Sequence, residues 1–150
     1  MHWLEDRIQQ LYQSEQKYSA IRRSQTANKG IAERSKEREF RSSFLDDIKQ
    51  LVQTVSDIHG ISGCIACHDG LLVAQAGNLS DFEAVAAIAQ ECISTAAKST
   101  SPLELGALRQ VSIVGDQAKL ALIAMGEITV GIVCPVETVL SQVLRDDPVG

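Results

Sequence analysis

Three glycine-bearing dipeptides, Asp69-Gly70, Gly115-Asp116 and Gly126-Glu127, each stand between two apolar runs of strand length. The constraint is stereochemical. A two-residue hairpin turn needs positive φ at one or both central positions, which Gly adopts freely and most residues resist. Asp-Gly suits a type I′ turn, and Gly followed by a polar residue suits type II′. The runs so joined are Ile61–His68 with Leu71–Ala76, then Leu105–Val114, Ala118–Met125 and Ile128–Cys134. The chain is therefore expected to hold one hairpin and one three-stranded meander, all antiparallel. Gly60 and Gly63 bracket a tight approach to the first strand.

Between and around these strands the apolar period changes to that of a helix. Phe44, Leu45, Ile48, Leu51, Val52, Val55 and Ile58 recur at three- and four-residue steps, with Ser43 and Asp46 placed as an N-cap and first-turn acid. Ser80 and Glu83 form a capping box for a helix over about Asp81–Lys98, which Ser99-Thr100-Ser101-Pro102 stops. Pro135 suits the first turn of a last helix carrying Val136, Val139, Leu140, Val143 and Leu144 on one face. The order is αββαβββα. Its economical packing is a two-layer α+β domain, a five-stranded antiparallel sheet covered by helices.

This pattern occupies residues 41–150; residues 1–40 read as a helical and polar N-terminal extension. Leu4, Ile8, Leu11, Tyr18 and Ile21 give a thin stripe from Trp3 to about Arg23. A lone helix of that length is marginal in water, so it needs a partner or lies against the main domain. Ser24–Glu39 is polar, broken at Asn28-Lys29-Gly30, and reads as linker or weak helix. The net charge of −5 is uneven: +2 over residues 1–40 and −7 over 41–150. An acidic domain repels phosphate backbones, so no nucleic-acid partner is expected. The chain is charged from its first residues and has no apolar run of membrane-spanning length. No membrane insertion and a cytoplasmic location are the expectation, and Cys64, Cys67, Cys92 and Cys134 then read as small buried hydrophobes.

From about Phe44 to Leu144 the chain resembles the Roadblock/dynein light chain domain, whose fold is profilin-like. The resemblance lies in Ile58-His59-Gly60-Ile61-Ser62-Gly63 after the leading helix and in Asp69-Gly70-Leu71-Leu72-Val73-Ala74. The alanine-rich helix Phe82–Lys98 and the closing strand Ile128-Thr129-Val130-Gly131-Ile132-Val133 complete it. It covers about two-thirds of the chain and omits the extension. The resemblance implies a homodimer or heterodimer in which the second helices pack antiparallel and the third strands pair edge to edge. It further implies a non-catalytic regulator or scaffold for Ras-like small GTPases, as in bacterial MglB-type members. An alternative is a general dimeric adaptor whose N-terminal helix docks on a motor, receptor or filament.

The residues argue for a dimer on their own account. Phe82, Ala86, Ala89, Ile93 and Ala96 form one stripe of the helix; Val85, Ile88 and Cys92 form a second. Together they exceed what covers one side of a sheet, and leftover apolar surface invites a partner. The competing expectation is that the extension or the last helix covers that surface within the chain. The run Leu105–Val114, with Leu105, Ala107, Arg109, Val111 and Ile113 as its contact residues, reads as an edge used for pairing. Gly60, Gly63, Asp69, Gly70 and Gly126 are the turn residues on which the fold depends.

No catalytic residues, cofactor or metal are expected. Cys64-Ile65-Ala66-Cys67-His68 matches the haem-attachment string. It lies in a strand, however, where Cys64 and His68 share one face and Cys67 points to the other. Zinc would need a second paired spacing, and a redox dithiol wants a helix N-terminus. No phosphate-binding loop or nucleophile elbow occurs. Arg41, Arg109 and Arg145 are conceivable arginine fingers, but none sits in a loop shaped to reach a catalytic site.

Overall fold

A computed structural model of the chain describes residues 2–24 and 31–145, with side chains for 3–17 and 36–145. Its elements are α1 (His2–Ser24), α2 (Ile31–Ser56), β1 (Gly63–His68), β2 (Leu71–Gly77) and α3 (Phe82–Thr100). After a 3-10 turn at Ser101–Leu103 come β3 (Gln110–Val114), β4 (Ala118–Met125), β5 (Ile128–Pro135) and α4 (Leu140–Val143). The strands form one antiparallel sheet in the order β2-β1-β5-β4-β3. This is the expected five-stranded α+β architecture behind an N-terminal helix.

The layering is fuller than two. On one face Cys64, Ala66, Ile123, Val130 and Ile132 pack against α1 and α2. On the other, Ile65, Cys67 and Leu122 pack against Ala86 and Ala89 of α3. Strand alternation sends successive residues of β1 to opposite faces, so both faces are apolar and both need a helix.

The hairpin turns hold where their stereochemistry was firmest. Asp69 and Gly70 have φ of 53° and 77°, the two positive values of a type I′ turn. Gly126 has φ of 59° and Glu127 is not positive, as type II′ requires. At the third site Gly115 has no positive φ. Its N–H donates to Ala118 O at 2.9 Å, so it extends the ladder and Asp116-Gln117 make the turn.

Other boundaries moved for local reasons. The helix expected to start near Ser43 begins at Ile31, which places Ser43 inside α2. The division at 40/41 therefore falls within one helix, and the linker reading of Ser24–Glu39 gives way from Ile31 onward. Asn28-Lys29-Gly30 lies outside the described residues. The cap of α3 is Asp81, whose carboxylate accepts from Ala84 N at 3.0 Å, one residue after Ser80. The strand expected from Leu105 starts at Gln110, because Glu104 and Gly106 adopt φ of 53° and 80° and break the extended run. Pro135 closes β5 opposite Ala118, so the last helix shrinks to four residues.

The N-terminal helix belongs to the main core. Trp3, Leu4, Ile8 and Leu11 are buried among Phe44, Ile48, Leu51, Val52 and Val55 of α2 and the sheet. Trp3 Nε1 donates to Leu144 O at 2.6 Å, tying the start of α1 to the segment after α4. A Cβ on Gly126 would run into Tyr12, which shows how closely α1 crosses the β4–β5 turn.

Gly77 supplies a test of the fold. Its φ is 98°, and a Cβ there would lie 2.6 Å from both Gly63 Cα and Ser62 O. These are backbone atoms that cannot swing aside. Gly70, also at positive φ, faces open space. Gly77→Ala is expected to cost about 2–3 kcal/mol and Gly70→Ala about 1 kcal/mol. Paired urea titrations measure both, and equal losses would contradict the close approach of the two glycines.

Candidate protein-interaction surface

Helix α3 lies on the sheet with an unequal division of its apolar residues. Ala86 and Ala89 are buried against Ile65, Cys67 and Leu122. Their small side chains let α3 sit close to the strands, and that contact removes both from any interface with another molecule. Phe82, Val85, Cys92, Ile93 and Ala96 are half-buried along the flanks. Ile88 points outward and is 51% exposed. The apolar residues left open are Ile88 with Ala84 and Ala87, while Val85 and Cys92 lean on the sheet-side cluster and offer only part of their surface.

Neither covering segment expected within the chain reaches this surface. α1 and the residues of α4 pack into the core on the opposite face of the sheet. Among the described residues, the outer side of α3 is left uncovered.

The surface continues toward β3, which α3 also touches. Val111 and Ile113 pair with Leu122 and Leu120, placing them on the α3 face of the sheet. Ile113 is 42% exposed. Leu103 and Leu105, in the connection from α3, are exposed as well, with Ala107 and Arg109 exposed beside them. Strand β3 is one of the two sheet edges, β2 being the other. Arg109 O accepts from Ala124 N and Gly115 N donates to Ala118 O, so odd-numbered residues bond toward β4. The amides and carbonyls of Gln110, Ser112 and Val114 therefore face outward. An apolar helix surface beside an open strand edge can seat another chain by side-chain burial and by strand pairing together.

The cysteine string does not assemble a site. Cys64 is buried on the α1/α2 face and Cys67 on the α3 face. One porphyrin edge or one metal cannot reach both sides of a sheet. Burial pushes the Cys64 thiol far up from its ordinary range. Burial also raises Cys67, partly offset by a hydrogen bond with Gln90 and reinforced by Glu83, and raises Cys134, partly offset by Lys119. The thiolate that redox or zinc chemistry needs is disfavoured at all three. Arg41 on α2, Arg109 before β3 and Arg145 after α4 are all exposed, in three separate parts of the chain.

One cluster was not legible in the sequence. Glu15 of α1, His68 at the end of β1 and Glu127 of the β4–β5 turn have ligand-type atoms all within 4.8 Å of one another. His68 carries the one hint the sequence offered, its parity with Cys64 on the α1/α2 face; nothing in spacing linked it to either glutamate. Among the described residues no helix is long and apolar enough to cross a membrane.

The sequence matches no protein-family model and no curated protein. Solved structures do match. MglB of Myxococcus xanthus superposes with a TM-score of 0.60 at 12% identity, over 67% of this chain and 79% of that one. A Roadblock/LC7 domain from Streptomyces avermitilis gives 0.55 at 17% identity, over 64% and 83%. An MglB solved in a tetrameric arrangement gives 0.54 at 12% identity, over 69% and 79%. At such identities the likeness is one of fold: a Roadblock/MglB-type architecture.

Proposed function

We propose, on the premise of a Roadblock-type fold with an uncovered α3–β3 face, that this chain is a non-catalytic regulator or scaffold. It dimerises through that face and presents the composite surface to a small Ras-like GTPase. The observation that carries the reading is exposed Ile88, with Ala84 and Ala87, on a helix that touches β3, whose outer edge is unpaired. Two copies related by a two-fold axis would bury that helix face against itself and pair the two β3 edges. The tetrameric MglB supports an architecture that assembles. The GTPase half of the proposal rests on similarity of fold to MglB and on the family resemblance of residues 44–144.

The adaptor reading loses support from the packing of α1. A helix that docks elsewhere must offer an apolar face, and Trp3, Leu4, Ile8 and Leu11 are spent inside their own chain.

The test is titration of the full chain against each Ras-like GTPase of its source organism, in GDP and GTP-analogue states. Binding to one of them with at least a tenfold preference between nucleotide states is expected, as a regulator's linkage requires. If none binds in either state, the GTPase role is gone even if the dimer stands.

A further inference from the structure

The cluster at Glu15, His68 and Glu127 holds one buried nitrogen without a hydrogen-bond partner, His68 Nε2, which is shut off from solvent. Buried polar atoms without partners are rare and costly, so something of complementary chemistry belongs there. The nearest Glu15 carboxylate oxygen is 3.8 Å away, too far for a hydrogen bond. That gap suits an ion: two ligands each about 2.0–2.1 Å from one metal stand roughly 3.3–4 Å apart. Glu127 sits on a two-residue turn and is exposed, so its carboxylate can close the remaining distance by rotation. The imidazole is steadied by Phe44, edge-on at 5.3 Å between ring centroids. A cleft of about 370 Å³, lined by Glu15, Arg41, Phe44, His68, Asp69 and Leu71 among others, adjoins the imidazole.

We infer that Glu15, His68 and Glu127 bind a divalent transition-metal ion that fastens α1 to the sheet. The three ligands come from α1, β1 and the β4–β5 turn, elements far apart in sequence. One imidazole and two carboxylates, with water in the fourth position, use ligand types that Zn²⁺ accepts and match its three-ligands-plus-water count, and they make a poor Ca²⁺ cage, which takes six to eight oxygens. The thiols take no part, because Cys64 is buried in the core and Cys67 lies across the sheet.

The experiment uses the full 150-residue chain, freed of metal by chelation and titrated with ZnCl₂ or CaCl₂ by calorimetry and thermal melting. Saturable binding of one Zn²⁺ per chain is expected, with no response to Ca²⁺. A hundredfold excess over Kd should raise the melting temperature by about 5–10 °C. X-ray absorption should show nitrogen and oxygen ligands at about 2.0–2.1 Å and no sulfur at about 2.3 Å. Glu127→Gln, at an exposed turn, should leave the metal-free melting temperature unchanged and weaken Zn²⁺ binding at least tenfold; His68→Gln should abolish it. The proposal is overturned by absence of saturable Zn²⁺ binding. Sulfur in the ligand shell would overturn it too, as would undiminished binding in both variants.

Discussion

Ile88→Asp is expected to weaken self-association of the chain by about a hundredfold while leaving its fold intact. The two effects separate because Ile88 is half exposed in the single chain and contributes little to its core. A surface substitution of that kind changes stability by no more than about 0.5 kcal/mol. In a dimer formed through α3, the same side chain sits in the centre of the buried face with exposed Ala84 and Ala87 beside it and the edge of Cys92 one turn on. Placing a carboxylate there removes apolar burial and forces a charge out of water, a loss of about 3 kcal/mol or more. Sedimentation equilibrium of both proteins measures the constants. Cys92 gives an independent reading: its thiol should be alkylated more slowly in the wild-type dimer than in the Ile88→Asp monomer. A wild-type chain that stays monomeric at its highest soluble concentration ends the dimer proposal. So does an Ile88→Asp variant that associates unchanged.

The second large effect concerns α1. Combined Leu4→Ala and Ile8→Ala substitutions are expected to destabilise the protein by roughly 4–8 kcal/mol. Both side chains are fully buried against α2 and the sheet. Each truncation loses transfer free energy and leaves a cavity that the surrounding helices fill only in part. Total stabilities of single domains are about 5–15 kcal/mol, so the double variant should be largely unfolded or melt far below the wild type. Circular dichroism melts and urea titration measure this. A dispensable extension would behave otherwise, with a change below about 1 kcal/mol; that result would mean α1 does not share the core. The experiment also bears on the adaptor alternative. A helix needed for folding cannot be released to a partner without opening the core it shares with α2 and β4.

Both predictions turn on which face of a helix is already occupied, and that is where reading the residues reached its limit. Periodicity showed that Asp81–Lys98 has more apolar surface than a single sheet face requires. It could not say that Ala86 and Ala89 are the pair taken by the sheet. The two stripes overlap in angle, and alanine fits either environment. The choice shows only in the folded chain, where Ala86 and Ala89 are buried against Ile65, Cys67 and Leu122 with Phe82, Val85, Cys92 and Ile93 packed beside them. The extension was similar. Its stripe predicted a helix in need of a partner, and only packing chose α2 over α3 as that partner.

What the chain's order of residues determined by itself is local: turn chemistry at Asp69-Gly70 and Gly126-Glu127, alternation along the strands, and the helical period of Phe44–Val55 and Phe82–Ala96. These depend on φ preferences and on a few neighbouring side chains, which any reader of the sequence has in hand. Tertiary structure alone decided the third layer, the seat of α1, the unbroken course of α2 through residue 40 and the meeting of Glu15 with His68 and Glu127. Each of these brings together residues distant along the chain. Which distant faces meet depends on the whole set of competing burials, and no local pattern encodes that sum.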